Sequence, residues 1–215
     1  MDLNSPFTLI VVLVLLSLAP FVAMMVTSYV KIVVVLSLIR NALGIQQIPP
    51  NIVMNGLAII LTFYIMHPIA QSTFEILQKT PFNKDDVPGM LKAADQAKEP
   101  LKEFLKKHAS PRERVFFFKT AQKMWPPQRT VNLKDDDMMI LIPAFTVSEL
   151  TRAFQIGFLI FLPFIVVDII VSNVLLALGM MMVSPMTISL PLKLLLFVVA
   201  DGWTRLIHAL VLGYA

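Results

Sequence analysis

The sequence predicts an all-α membrane protein: two long apolar helical hairpins flanking a mainly helical polar insert. Three observations predict it. The chain is 57% hydrophobic and 15% charged, with a mean hydropathy of +0.76, whereas soluble domains carry about 25% charged residues. The charge is also concentrated, since residues 75–152 hold 14 of the 18 Lys+Arg and 11 of the 14 Asp+Glu. Finally, the chain has four apolar runs, two before the bulk of that segment and two after it, each long enough for a membrane helix. The expected organisation is an N-terminal hairpin over 1–73, a polar extracytoplasmic insert over 74–137 and a C-terminal hairpin over 138–215.

The first run, Phe7 to Ile39, has 33 residues, interrupted by Pro20 and Lys31. As one straight helix it would measure about 50 Å against about 30 Å of hydrocarbon, so it must tilt, kink at Pro20 or extend beyond the bilayer. No Lys or Arg precedes it, and it is longer than a signal-peptide core, so it is not expected to be cleaved. Arg40 to Asn51 reads as a turn, with Gly44 and two prolines. Ile52 to Ile69 forms the second run, ending at His67-Pro68.

In the insert, Val87 to His108 carries apolar residues at helical spacing, and Pro100 should kink or split that helix. Ser110-Pro-Arg-Glu113 fits a capping box with proline at the first helical position. Trp125-Pro-Pro127 should end this helix, and Asp135 to Asp137 suits the acidic start of the next rather than a metal site. The third run, Ile140 to Met182, is expected to break at Pro143 and Pro163, with a second capping box at Thr146 and Glu149. The fourth is Leu190 to Leu212.

Orientation follows from Lys and Arg near short loops. Arg40 with Lys31, and Lys193, place both hairpin loops in the cytoplasm, with the termini and insert outside.

Between the third and fourth runs lies Leu178 to Lys193, LGMMMVSPMTISLPLK. Gly179 can end a helix at positive φ, and Pro185 and Pro191 resist helix continuation. Met180, Met181 and Met182 are unbranched and polarizable, so they suit an adaptable apolar seal and equally a filler between helices. Residue types alone leave both open. Lys193, Asp201, Arg205 and His208 are spaced to share one helix face, and Asp168 sits within the third run. Glu149 and Arg152 stand three apart, and Gln155 would continue their stripe. Ionisable groups in such segments call for partners or an aqueous wall. Glu149, Arg152, Asp168, Lys193, Asp201 and Arg205 are therefore candidates for inter-subunit polar contacts.

No chemistry-bearing motif points to an enzyme. There is no cysteine, no phosphate-cradling glycine loop, no HExxH and no GxSxG, and His67, His108 and His208 lack ligand spacing. No metal or other cofactor is implied. The mixed charges of the insert leave no nucleic-acid footprint. A proton-coupled or small-solute transporter using Asp168, Asp201 and Arg205 remains a different class of reading, as does a membrane-anchored scaffold without a pore. Native mass and the permeability effect of the Met loop separate these readings.

Two stretches carry a family resemblance. Pro143-Ala-Phe-Thr-Val-Ser-Glu-Leu-Thr-Arg-Ala-Phe-Gln-Ile-Gly157 and Pro191-Leu-Lys-Leu-Leu-Leu-Phe-Val-Val-Ala-Asp-Gly-Trp203 resemble the two signatures of the FliP/SctR (YscR) family of type III secretion export-gate proteins. Arg40-Asn-Ala-Leu-Gly44 with Pro49-Pro-Asn51 resembles that family's first hairpin turn. The resemblance implies an inner-membrane pentamer, assembled with SctS/FliQ-like and SctT/FliR-like proteins and an SctU/FlhB-like switch protein. It also implies a gate passing unfolded polypeptides, with Met180, Met181 and Met182 in the gasket motif, and helices buried against other subunits as much as against lipid. Flagellar members start with a cleaved signal, which favours the virulence, or injectisome, branch here.

Overall fold

The computed structural model describes residues 6–45, 47–79 and 87–215. Among them the regular structure is all helical: α1 Pro6–Met25, α2 Tyr29–Ala42, α3 Asn51–Lys79, α4 Val87–Ala97, α5 Glu99–His108, α6 Pro111–Met124, α7 Pro127–Thr130, α8 Met138–Ala177, α9 Pro185–Val199 and α10 Gly202–Leu212. Helices α3 and α8 are each long and apolar enough to cross a membrane, and the described residues offer up to four spans if the pairs α1–α2 and α9–α10 each count as one.

The breaks fall where backbone conformation, rather than proline alone, dictates. Helix α1 runs through Pro20 and ends at Met25, so the first run breaks at a turn over residues 26–28 and not at Pro20, where a kink is one of the alternatives. Helix α3 runs through Pro68 to Lys79, and α8 runs unbroken for 40 residues past Pro143 and Pro163. Pro191 likewise lies inside α9. An internal proline forfeits one hydrogen bond of the ladder, whereas ending a helix leaves four carbonyls to satisfy. In apolar surroundings the second is the larger penalty, so these helices carry their prolines. Where a residue takes positive φ the helix does stop: Gly44 at +75°, Gly179 at +72° and Asp201 at +50°.

Two compact units share the chain. One comprises Met1–Val30 and Met66–Ser148, the other Lys31–Ile65 and Glu149–Ala215. The first has its core between α5 and the opening turns of α8. Leu105, Ile140, Leu141, Ala144 and Phe145 are all but fully buried. The Phe104 ring lies 5.6 Å from Phe145 and 4.7 Å from His108. Pro100 sits in the first turn of α5, having split it from α4 as expected. Ser110 precedes α6 with Pro111 in the first turn, but its side chain makes no cap. Its backbone N–H instead donates to Ser148 Oγ at 2.8 Å, tying α6 to α8. Thr146 and Glu149 do not form a capping box either. Residue 146 is already inside α8, and its hydroxyl lies 2.9 Å from the Ile142 carbonyl and 3.2 Å from that of Met25.

The insert contributes a charged clasp. Lys102 Nζ stands 3.2 Å from Asp136 Oδ2, with Lys106 at 3.6 Å from the same oxygen. The hydrogen bond from Lys102 holds the Asp136 carboxyl below its ordinary range, and the same bond raises the Lys102 ammonium. A depressed carboxyl stabilises the fold above its unfolded value, about 3.9, and that stability is lost as pH falls through the lower folded value. Raised Lys102 contributes below about 10.4 and loses it as pH rises through the folded value. Proteolysis of the insert should therefore quicken below about pH 4 and above about pH 10. Asp136→Asn should remove the acid limb; an unchanged acid limb in that variant would exclude the clasp as its cause.

The second unit is built on helical stripes. Helix α2 buries Ile32, Val35, Leu36 and Ile39, and α3 buries Met54, Ala58, Leu61 and Ile65. Arg40 Nη1 donates to Asn51 Oδ1 at 2.5 Å and to the Pro49 carbonyl at 3.3 Å, closing the first hairpin turn. Helices α9 and α10 meet at 58°, so the expected single helix from Leu190 to Leu212 is an elbow. The left-handed Asp201 and the following Gly202 make it, since a Cβ at 202 would stand 2.3 Å from the Phe197 ring.

Candidate functional site

The methionine loop joins α8 to α9. Helix α8 closes with a Schellman motif: the Gly179 N–H donates to the Leu176 carbonyl and the Met180 N–H to that of Leu175, each at 3.0 Å. Met181 N bonds the Gly179 carbonyl at 3.0 Å and Val183 N that of Met180 at 3.3 Å, so the short loop carries its own hydrogen bonds. Ser184 is extended, and Pro185 opens α9. This geometry projects the methionines outward. Met180 is 44% exposed, Met181 81% and Met182 101%. They fill no gap among the described residues. Leu178, Met186 and Ile188 are exposed beside them, so the hairpin ends in a contiguous apolar tip. Such a patch marks a surface that meets something apolar.

A polar lock fixes the base of this hairpin. Lys193 Nζ donates to Asp168 Oδ2 at 2.5 Å, and Ser189 Oγ donates to Asp168 Oδ1 at 2.5 Å, so α8 and α9 are pinned side by side. Lys193 Nζ also lies 3.4 Å from the Ala42 carbonyl at the end of α2. The ammonium thus satisfies a helix terminus as well as a carboxylate.

A second polar cluster surrounds Glu149, which is wholly buried. Lys31 Nζ stands 3.3 Å from its Oε2, and Arg152 Nη1 donates to Oε1 at 3.0 Å. The Tyr214 hydroxyl donates to Oε2, and Lys31 Nζ sits 3.4 Å from the Tyr214 ring centroid. One carboxylate therefore ties the start of α2, the middle of α8 and the C-terminal turn. A charge in this setting is tolerable only when its oxygens are satisfied, as these are.

Of the six candidate polar residues, the structure brings Glu149 together with Arg152 and Asp168 together with Lys193. Asp201 and Arg205 form no ion pair among the described residues, although they stand four apart. Asp201 is left-handed and lies before α10, so its side chain is not on the α10 face that carries Arg205 and His208. The elbow takes Lys193 off that face too. Gln155 is exposed. Sequence reasoning missed Lys31, Ser189 and Tyr214 as partners. Lys31 carried a signal, being ionisable inside an apolar run, but its carboxylate is 118 positions away.

A profile of the FliP family matches residues 12–210, nearly the whole chain. The chain belongs to the FliP family. Its similarity to curated relatives is also end to end. It is 54% identical to Yop proteins translocation protein R of Yersinia pestis, over 99% of this chain and 98% of the relative. It is 49% identical to hypersensitivity response secretion protein HrcR of Ralstonia nicotianae, over 96% of each. It is 46% identical to virulence protein YscR of Salmonella typhimurium, over 99% and 98%. These FliP-family relatives are named for virulence, the hypersensitivity response and Yop translocation, in keeping with the branch expected from the sequence.

Proposed function

We propose that this FliP-family protein is a core pore-forming component of a type III protein secretion export apparatus, in the bacterial inner membrane. Copies of the chain form a ring, a pentamer in the family pattern, with SctS/FliQ-like, SctT/FliR-like and SctU/FlhB-like partners. Unfolded polypeptides pass along its axis. The insert over 74–137 lies on the periplasmic side, and the hairpins over 1–73 and 138–215 build the gate. The chain performs no catalysis and needs no cofactor.

One observation carries this reading: an apolar tip of Met180, Met181 and Met182, presented beyond a helix-terminating glycine and left exposed among the described residues. Converging copies would bury these side chains against one another at the axis. Methionine repacks around varied shapes, so the closed ring excludes ions at rest and yields to a passing polypeptide. Only 22% of the best apolar window of α3 and 17% of that of α8 is buried, which supports extensive burial by other subunits or lipid. The exposed Asp201 and the outer part of Arg152 are the polar groups best placed for contacts between copies.

Replacing Met180, Met181 and Met182 together by alanine should raise resting ion conductance several-fold while the ring still assembles. Patch or planar-bilayer recording of the purified complex measures it. An assembled variant that leaks no more than wild type removes the gasket role.

A further inference from the structure

The elbow between α9 and α10 and the facing side of α8 line an open-sided cavity of about 380 Å³ within the second unit. Ile156, Ile160, Pro163 and Phe164 of α8 form one wall; Leu196, Phe197, Leu206 and Leu210 of the elbow form most of the other. Its volume falls in the range of ligand sites, about 300–1,000 Å³, and well exceeds an apolar cavity of about 150 Å³ that accepts benzene. The space is a consequence of the backbone. Left-handed Asp201 turns the chain, and Gly202 lets the Phe197 ring lie against it, so the two helices splay instead of closing.

One charged group stands on the lining. Arg205 is exposed, borders the cavity and makes no ion pair among the described residues. Its nearest carboxylate in sequence, Asp201, does not engage it. A guanidinium beside hydrocarbon is costly without an anion, and its planar fork suits phosphate oxygens. We propose that this cavity is a binding site for an anionic phospholipid, with one acyl chain between α8 and the elbow and the headgroup phosphate on Arg205. An acyl chain removes apolar walls from water, and the phosphate supplies the missing counter-charge. The bound lipid would also wedge the elbow at its observed opening.

The test is native mass spectrometry of the assembled complex. The complex is taken from bilayers with equal phosphatidylglycerol and phosphatidylcholine, and the lipid retained after detergent exchange is counted. Wild type should retain phosphatidylglycerol about tenfold over phosphatidylcholine, the size of one charge-assisted hydrogen bond. Arg205→Gln should bring the two close to parity, and Arg205→Lys should restore part of the preference. Ala209→Phe, which fills the cavity, should lower retention of both. Equal retention in wild type, a preference untouched by Arg205→Gln, or no retained lipid because side chains of a neighbouring subunit occupy the cavity would each overturn the proposal.

Discussion

Replacing Glu149 by alanine should destabilise the folded chain by about 3–5 kcal/mol, because it strands a cation that the fold has taken out of water. Lys31 is only 4% exposed and Glu149 is fully buried, so neither can turn to solvent. Among the described residues, removing the carboxylate leaves Lys31 beside the Tyr214 ring without its carboxylate and takes one acceptor from the Tyr214 hydroxyl. Arg152, more exposed, can find water. Thermal unfolding of the purified complex, followed by intrinsic fluorescence, reads the effect. The double variant Lys31→Met with Glu149→Leu should recover most of the loss, since it removes both charges and keeps the volume. If Glu149→Ala melts with wild type, the cluster is not what holds the C-terminal turn to α2 and α8.

Substituting Gly157 by alanine should cost about 1–3 kcal/mol through overpacking. A Cβ there would lie 2.2 Å from Leu38 Cδ1 and 3.0 Å from Leu38 Cβ. The Cδ1 contact can be relieved by rotating the leucine, but the Cβ contact cannot, so α2 and α8 must move apart. Small residues at such positions let helix backbones approach closely, which is the main source of association where apolar burial offers no advantage over lipid. Leu38→Ala in the Gly157→Ala background removes the Cδ1 and Cγ contacts but keeps the Cβ one, so the double variant should be less destabilised than the sum of the two single changes. Simple additivity of the two effects would show that the helices do not meet at this point.

Much of the fold was legible because the relevant signals are local. An apolar run long enough for a membrane, a charged segment between two such runs, Pro100 dividing α4 from α5 and Trp125-Pro-Pro127 ending α6 all act within a few residues. Gly179 was readable for the same reason: one positive-φ residue suffices to close a helix. The proline breaks within the apolar runs were misread, since the sequence shows the lost N–H but not the apolar surroundings that make a continuous helix preferable.

By itself the sequence determined the all-helical class, the segregation of charge into the insert and the methionine run at a hairpin tip. Those follow from composition and short-range spacing. Only the tertiary structure decided that Glu149 answers Lys31 and Tyr214, that Asp168 answers Lys193 and Ser189, and that Asp201 and Arg205 part at an elbow. The reason is physical: an ionisable side chain in an apolar segment announces that it needs a partner, but its identity is set by which helices come to lie side by side. That depends on packing between residues from about 20 to more than a hundred positions apart.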